Sequence, residues 1–159
     1  MQNKSRSRFK LVKVNKNNNS RFQEIDFSFN LMQYITGHAL STDEVIERYS
    51  YNMDHKYFGA YFVEKIESNE IIGLAVIKEK GREAEIGYMV LDKYKGNGIA
   101  TEINLKLIEV CRQYLPAFRI CAYVDKRNMA SIRVLEKSGM KKDKTINSGS
   151  GIVSIRFLI

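Results

Sequence analysis

Apolar and polar positions follow two different periods along this chain, and the switches between them mark out its elements. Phe9–Val14 alternates apolar and basic residues, which predicts a first strand. Phe22–Ile35 has no crisp period and is read as a helix or helix-loop. Ser41-Thr42-Asp43-Glu44 is a capping box, with Ser41 as N-cap and Glu44 at N3, opening a helix to about Tyr51. Three strand-like runs follow, Tyr57–Ile66, Ile71–Lys80 and Ala84–Leu91. The turns at Ser68-Asn69 and Lys80-Gly81 are short enough to make these runs an antiparallel meander.

The period then lengthens. Ile99, Ile103, Leu107, Val110 and Tyr114 recur at helical spacing, while Glu102, Lys106, Glu109 and Gln113 take the other face. A strand is expected at Phe118–Val124, then a short helix capped by Asn128 and ended by Gly139. Two last strands flank the loop Asn147-Ser148-Gly149-Ser150-Gly151. The order β-α-α-β-β-β-α-β-α-β-β predicts an α/β domain with a mixed sheet. No internal repeat is visible, and Pro116, the single proline, marks no linker. Residues 1–7 are expected to be a flexible basic end and residues 8–159 one domain, as suits 159 residues.

Charge changes the picture once it is located. The net charge of +8 points first to nucleic acid. Residues 1–21 hold seven basic groups and no acid, residues 22–70 hold three basic groups and nine acids, and residues 71–159 hold sixteen and nine. The chain thus divides into blocks of +7, −6 and +7, an asymmetry that predicts two ligand environments of opposite sign. No apolar stretch approaches the roughly 18 residues that a membrane span needs, and no apolar core of a secretory signal follows the basic start. Cys111 and Cys121 read as reduced core thiols, and His38 and His55 lack metal-type spacing, so no metal is expected. Neither a Gly-x-Ser-x-Gly elbow nor a Gly-x-x-x-x-Gly-Lys-Ser/Thr loop occurs. A reducing, cytoplasmic setting fits these features.

The stretch richest in chemistry is Glu85-Ile86-Gly87-Tyr88-Met89-Val90-Leu91, then Asp92-Lys93-Tyr94-Lys95-Gly96-Asn97-Gly98-Ile99-Ala100. A strand ends, and two glycines open an amphipathic helix. Gly96 and Gly98 allow close backbone approach and leave N–H groups free at a helix N-terminus, a setting that favours phosphate, with the Lys95 cation beside it. These residues alone read equally well as a tight strand-to-helix turn.

Lys95-Gly96-Asn97-Gly98-Ile99-Ala100 resembles the pyrophosphate-binding signature of the GNAT acetyltransferase superfamily, Arg/Gln-x-x-Gly-x-Gly/Ala, and the preceding strand resembles that family's central strand. Asn128-Met129-Ala130-Ser131 with Val134-Leu135-Glu136-Lys137-Ser138-Gly139-Met140 is similar to its downstream Asn-x-x-Ala/Ser … Glu-Lys-x-Gly-Phe element. The resemblance covers nearly the whole chain, and its nearest branch is that of the ribosomal-protein N-terminal acetyltransferases. Lys95 stands for the usual Arg or Gln, Met140 for Phe, and Leu135 for the tyrosine that protonates the leaving thiolate in many members.

The resemblance implies a GNAT-like fold and direct transfer of acetyl from acetyl-CoA to a primary amine. The backbone near Met89 or Val90 would bind the thioester and pantetheine, and Lys95, Gly96, Asn97, Gly98, Ile99 and Ala100 the pyrophosphate. Asn128 would meet the pantetheine arm, or serve only as an N-cap. Ser131 would fill the acid role, or be an ordinary first-turn serine. Glu85 is the candidate base, against a solvated edge-strand carboxylate, with Glu83 as the alternative. Tyr88 and Tyr123 read as wall residues. The −6 block is expected to supply an acidic acceptor pocket, so the acceptor is expected to be cationic, a small amine or a peptide N-terminus. Two rivals stand beside this reading: a GNAT domain that binds acyl-CoA without catalysis, and a basic nucleic-acid-binding module using residues 1–21. The second is disfavoured because Phe9 is that segment's one aromatic residue before position 22 and no recognition motif accompanies it. No membrane partner is expected. Oligomeric state stays open, with homodimers common among relatives.

Overall fold

The computed structural model describes residues 7–149 and 151–159, so all but Ser7 of the expected flexible end lies outside the described residues. Strands β1 (Phe9–Lys13), β2 (Gly59–Lys65), β3 (Ile71–Lys80), β4 (Glu83–Val90), β5 (Arg119–Asp125), β6 (Lys141–Asn147) and β7 (Val153–Leu158) form one mixed sheet in the order β1-β2-β3-β4-β5-β7-β6. The expected meander β2-β3-β4 is antiparallel throughout. Only β4 and β5 run parallel, joined by helix α3 (Ile99–Tyr114) as a crossover.

Each face of the sheet buries its own apolar cluster. Helices α3 and α4 (Met129–Lys137) cover one, with Ile103, Leu107 and Leu135 packed on Ile86, Val90 and Phe157. Of the helical stripe read from the sequence, Ile99, Ile103 and Leu107 are buried and Val110 partly so, while Tyr114 at its end is exposed and stacks on Tyr57 with ring centroids 4.4 Å apart. On the other face, helix α2 (Thr42–Tyr49) and the segment before it bury Phe22, Met32 and Val45 against Phe62, Leu74 and Met89. The Ser41–Glu44 capping box is formed in both directions.

One expectation needs correction. Phe22–Ile35 is not one helix: a 3-10 helix (Asn19–Glu24) is followed by an extended break and a four-residue helix, α1 (Phe29–Met32), capped by Ser28. Phe22, Ile25, Phe27, Leu31 and Met32 share no single helical stripe, so the chain turns twice to bury them all. The first strand expected at Phe9–Val14 is present within the basic segment 1–21. That strand is β1, and three of the segment's described cations are engaged: Lys10 bonds Asn69, Lys13 bonds the Asn52 carbonyl, and Arg21 bridges Glu24 and Glu64.

Candidate active site

The parallel pairing of β4 and β5 lasts three residues, from Glu83–Arg119 to Glu85–Cys121, and then the strands part. A cleft of about 510 Å³ occupies the gap. Gly87 to Val90 form one wall, Ala122 to Asp125 the other, and Asn128, Ser131 and Leu135 of the α4 region close one side. Residues of α1, Arg48 and Tyr49 of α2, and Lys78 of β3 reach it from the opposite sheet face.

The open edge of β4 offers unpaired backbone. Leu91 N–H donates to the Ile72 carbonyl at 3.0 Å, and the β3–β4 register runs inward from there without a shift. Alternate residues of an antiparallel strand bond the same neighbour, so the N–H groups of Met89 and Gly87 face β3 while those of Val90 and Tyr88 face the gap. Of the two oxyanion donors expected from the sequence, Val90 therefore has the free N–H, and Met89 contributes a side chain to the wall. β3 presses closely on this end of β4: a Cβ at Gly73 would lie 2.4 Å from the Met89 carbonyl oxygen, so only glycine fits there.

Beyond β4, a 3-10 turn (Asp92–Tyr94) leads to the glycine loop. Gly96 and Gly98 have φ of +86° and +73°, conformations that glycine adopts without cost. Gly98 is the N-cap of the sixteen-residue α3, and no side chain caps it. The first intrahelical bond in from this end is Glu102 N–H to the Gly98 carbonyl, so the N–H groups of Ile99, Ala100 and Thr101 are left to solvent or ligand. The Ile99 side chain is buried in the core and Ala100 packs against it, so their contribution to a ligand is backbone only. Lys95 lines the cleft, its ammonium 2.7 Å from Asp92 Oδ1. Asp92 Oδ2 in turn accepts from Asn30 Nδ2 of α1 at 2.6 Å, and hydrogen bonds from Lys95 and Asn30 hold its carboxyl below the usual range. Arg8, outside both sequence motifs, donates to the Asn97 carbonyl at 2.8 Å and pairs with Glu102 at 2.7 Å, bracing the loop from behind.

Glu85 and Ser131 both line the cleft, from opposite faces of β4. Glu85 is opposite Lys78 in register, on the α1–α2 face, and its side chain, 15% exposed, pairs with Lys80 at 3.2 Å. The alternative, Glu83, is outside the cleft lining. A thiol hydrogen bond from Cys121 and the Arg156 guanidinium hold its carboxyl low, and Arg156 also holds Asp143 and donates to Tyr123. Ser131 Oγ is 2.8 Å from the Tyr88 hydroxyl. Burial pushes the Tyr88 pKa up to about 12 against the opposing Ser131 bond, so this phenol is protonated at neutral pH. Sequence reasoning took Tyr88 for a wall residue; the signal for more was a tyrosine on the central strand with Leu135 in place of the helical one. Leu135 is buried in the core. Asn128 does cap α4, its Oδ1 accepting from Ser131 N–H at 3.2 Å, and its Nδ2 has no partner among the described residues.

The acidic acceptor pocket is not formed. None of the nine carboxylates of residues 22–70 lines the cleft, because they serve structure or solvent: Glu24 and Glu64 hold Arg21, Glu44 closes its capping box, and Glu70 holds Lys93 and Tyr94. From that block the cleft receives Arg48 as its one charged group. Cys111 and Cys121 are buried free thiols with pKa values raised by burial to about 11 and about 12. His55 Nδ1 accepts from the Tyr57 and Phe58 N–H groups, a structural role. Among the described residues no group of three or more His, Cys, Asp or Glu could hold a metal ion, and no helix is long and apolar enough to cross a membrane.

Known proteins are similar to this chain in sequence and fold. Residues 10–141 match the acetyltransferase (GNAT) domain. The uncharacterized N-acetyltransferase YoaA of Bacillus subtilis is 34% identical over 84 residues, 51% of this chain and 48% of YoaA. The probable N-acetyltransferase YjcK of the same organism is 37% identical over 68 residues, 43% of this chain and 38% of YjcK. The matched part is thus about half or less of each relative's length. Among solved structures, a GNAT-family acetyltransferase from Bacillus anthracis superposes with a TM-score of 0.81 at 23% identity, covering 96% of this chain and 95% of that one. A spermidine N-acetyltransferase from Vibrio cholerae, solved with CoA and spermine, gives 0.77 at 19% identity over 97% and 96%. With the domain match spanning most of the sequence and the sheet parting at β4 and β5 above an uncapped helix, the chain belongs to the GNAT acetyltransferase family.

Proposed function

We propose that this chain is an N-acetyltransferase that moves the acetyl group of acetyl-CoA directly to a primary amine. The observation that carries the reading is the continuity of two donor sets. The unpaired N–H groups along the β4 edge lead directly to the uncapped start of α3, which matches a peptide-like arm ending in a pyrophosphate. Acetyl-CoA supplies an activated thioester when bound. Val90 N–H is the donor for charge on the carbonyl oxygen, Asn128 Nδ2 meets the arm, and Lys95 with the N–H groups from Gly96 to Ala100 holds the phosphates.

Glu85 then takes the proton that the acceptor ammonium must lose before nitrogen attacks, and Ser131 returns one to the departing sulfur. Their placement on opposite faces of β4 suits that division: the base is on the side open to the acceptor, the acid on the side of α4. Tyr88, protonated and in contact with Ser131, resupplies the serine and replaces the hydroxyl that Leu135 does not provide. The two unpaired, buried thiols support a cytoplasmic setting.

Acetyl-CoA at 100 times its Kd is expected to stabilise the protein by about 2.7 kcal/mol, a Tm rise of roughly 5–11 °C. Thiol release that then requires an added amine supports the transferase. A Tm rise with no release for any amine supports the acyl-CoA-binding alternative instead.

A further inference from the structure

The end of the cleft away from the glycine loop carries two cations that form no ion pair among the described residues. Arg48, in the last turn of α2, and Lys78 of β3 line both the cleft and an adjoining recess of about 320 Å³ formed with Tyr51, Asn52, Glu79 and Lys80. Neither Arg48 nor Lys78 has a carboxylate within 4 Å among the described residues. Of the acidic groups nearby, Glu85 is paired with Lys80, and Glu79, exposed at the rim of the recess, pairs with neither Arg48 nor Lys78. Lys78 is half-buried, its ammonium over the Tyr51 ring at 5.9 Å, and burial lowers its pKa, the Glu85 charge opposing and the Arg48 charge adding to that effect. The Tyr51 hydroxyl beside them is buried without a hydrogen-bond partner. Two cations and an unused hydroxyl, drawn from a helix, a strand and a loop and held in a concave site with no carboxylate in ion-pair contact with either cation, are complementary to an anion.

Their position relates that anion to the reaction. Lys78 and Glu85 are cross-strand neighbours, so the cationic pair begins roughly 5 Å from the proposed base. We infer that the acceptor is a small primary amine that also carries a carboxylate or phosphate, held by Arg48 and Lys78 while its nitrogen faces Glu85 and the β4 edge. This rests on the transferase reading and replaces the purely cationic acceptor expected from the charge blocks.

The test measures thiol release at saturating acetyl-CoA with matched acceptors. L-amino acids are set against their amides, phosphoethanolamine against ethanolamine, and spermidine stands alone. The preferred anionic acceptor is expected to exceed its uncharged counterpart by about tenfold or more in kcat/KM, and which pair shows the gap separates carboxylate from phosphate. In R48Q and K78M that gap should collapse, while the KM for acetyl-CoA stays unchanged. Calorimetry supplies a readout without turnover: the N-acetylated form of each anionic acceptor is expected to bind the wild type and to lose binding in both variants. Faster turnover of spermidine or of the uncharged amines overturns the inference while leaving the transferase intact. An anionic preference that survives both replacements also overturns it, as does failure of every anionic product to bind. Failure of acetyl-CoA to raise the Tm would instead remove the transferase reading itself.

Discussion

Beside the cleft, whose lining reaches the glycine loop at Lys95, the proposed ligand groups are backbone N–H donors from a few consecutive residues, Gly96 to Thr101, together with the Lys95 cation. At the other end they are side chains, Arg48 and Lys78, brought together only by the packing of α2 on the sheet. In the proposed reading the first region would bind through geometry that two glycines and a helix start dictate locally. The second would bind through charge that is brought together only once the fold has assembled. A local motif is therefore readable as chemistry from the sequence, whereas a site assembled from distant segments is misread when charges are averaged over a block.

The largest effect expected within this comparison is on the proton path between the two ends. Ser131→Ala or Tyr88→Phe should lower kcat by roughly 10²–10⁴-fold with the KM for acetyl-CoA unchanged. If the two hydroxyls act as a unit, the double variant loses little beyond the worse single one. Steady-state kinetics on the three variants decides this, and multiplicative losses would separate them.

Next comes Gly98→Val. It places a branched residue at φ +73° in the loop and should weaken acetyl-CoA binding on the order of 100-fold, about 2.7 kcal/mol. Gly37→Val is the matched control, since Gly37 has φ +77° with open space around it. It should cost stability without altering affinity, and equal loss of affinity in both would detach the loop from binding.

Gly73→Ala acts through the strand instead, forcing a methyl against the Met89 carbonyl. A loss of roughly 1–3 kcal/mol in urea denaturation is expected, with weaker acetyl-CoA binding because the β4 edge shifts.

Acid separates the scaffold from the loop. Asp125, held low chiefly by its hydrogen bond from Arg127, contributes stability that is complete above its unfolded pKa near 3.8 and is lost as pH falls through its lower folded value. The urea midpoint should fall from pH 5 to pH 3, and less steeply in Asp125→Asn. The smallest effect is Arg8→Ala, where a half-exposed pair and one loop carbonyl are lost. Stability should change by about 0–1 kcal/mol and the KM for acetyl-CoA should rise less than about fivefold.

The long helical stripe of α3, the β2–β4 meander and the Ser41 capping box were legible because each follows from periodicity or from contacts within four residues. Phe22–Ile35 was not, because its apolar residues are buried by turning the chain, and the reason lies in Phe62 and Leu74 on strands not yet placed. At the site, the Gly96–Gly98 loop and the Asn128 cap were visible as local signals. The choice of Val90 N–H over Met89 required the β3 register, since the ladder's phase is set by the partner strand. Tyr88 required α4, whose Ser131 reaches it across the cleft. The net charge of the basic start says little about a ligand, because Lys10, Lys13 and Arg21 are engaged within the fold itself.

The most direct test of the account follows the acetyl group itself. Acetyl-CoA labelled in the acetyl carbonyl is mixed with the protein and the best acceptor found, and label is tracked in amine, protein and water-soluble acetate. The account predicts one labelled amide for every thiol released, with no label on the protein at any time. Label held on the protein before the amine is added, or thiol released as free acetate without amide, would contradict direct transfer at this cleft.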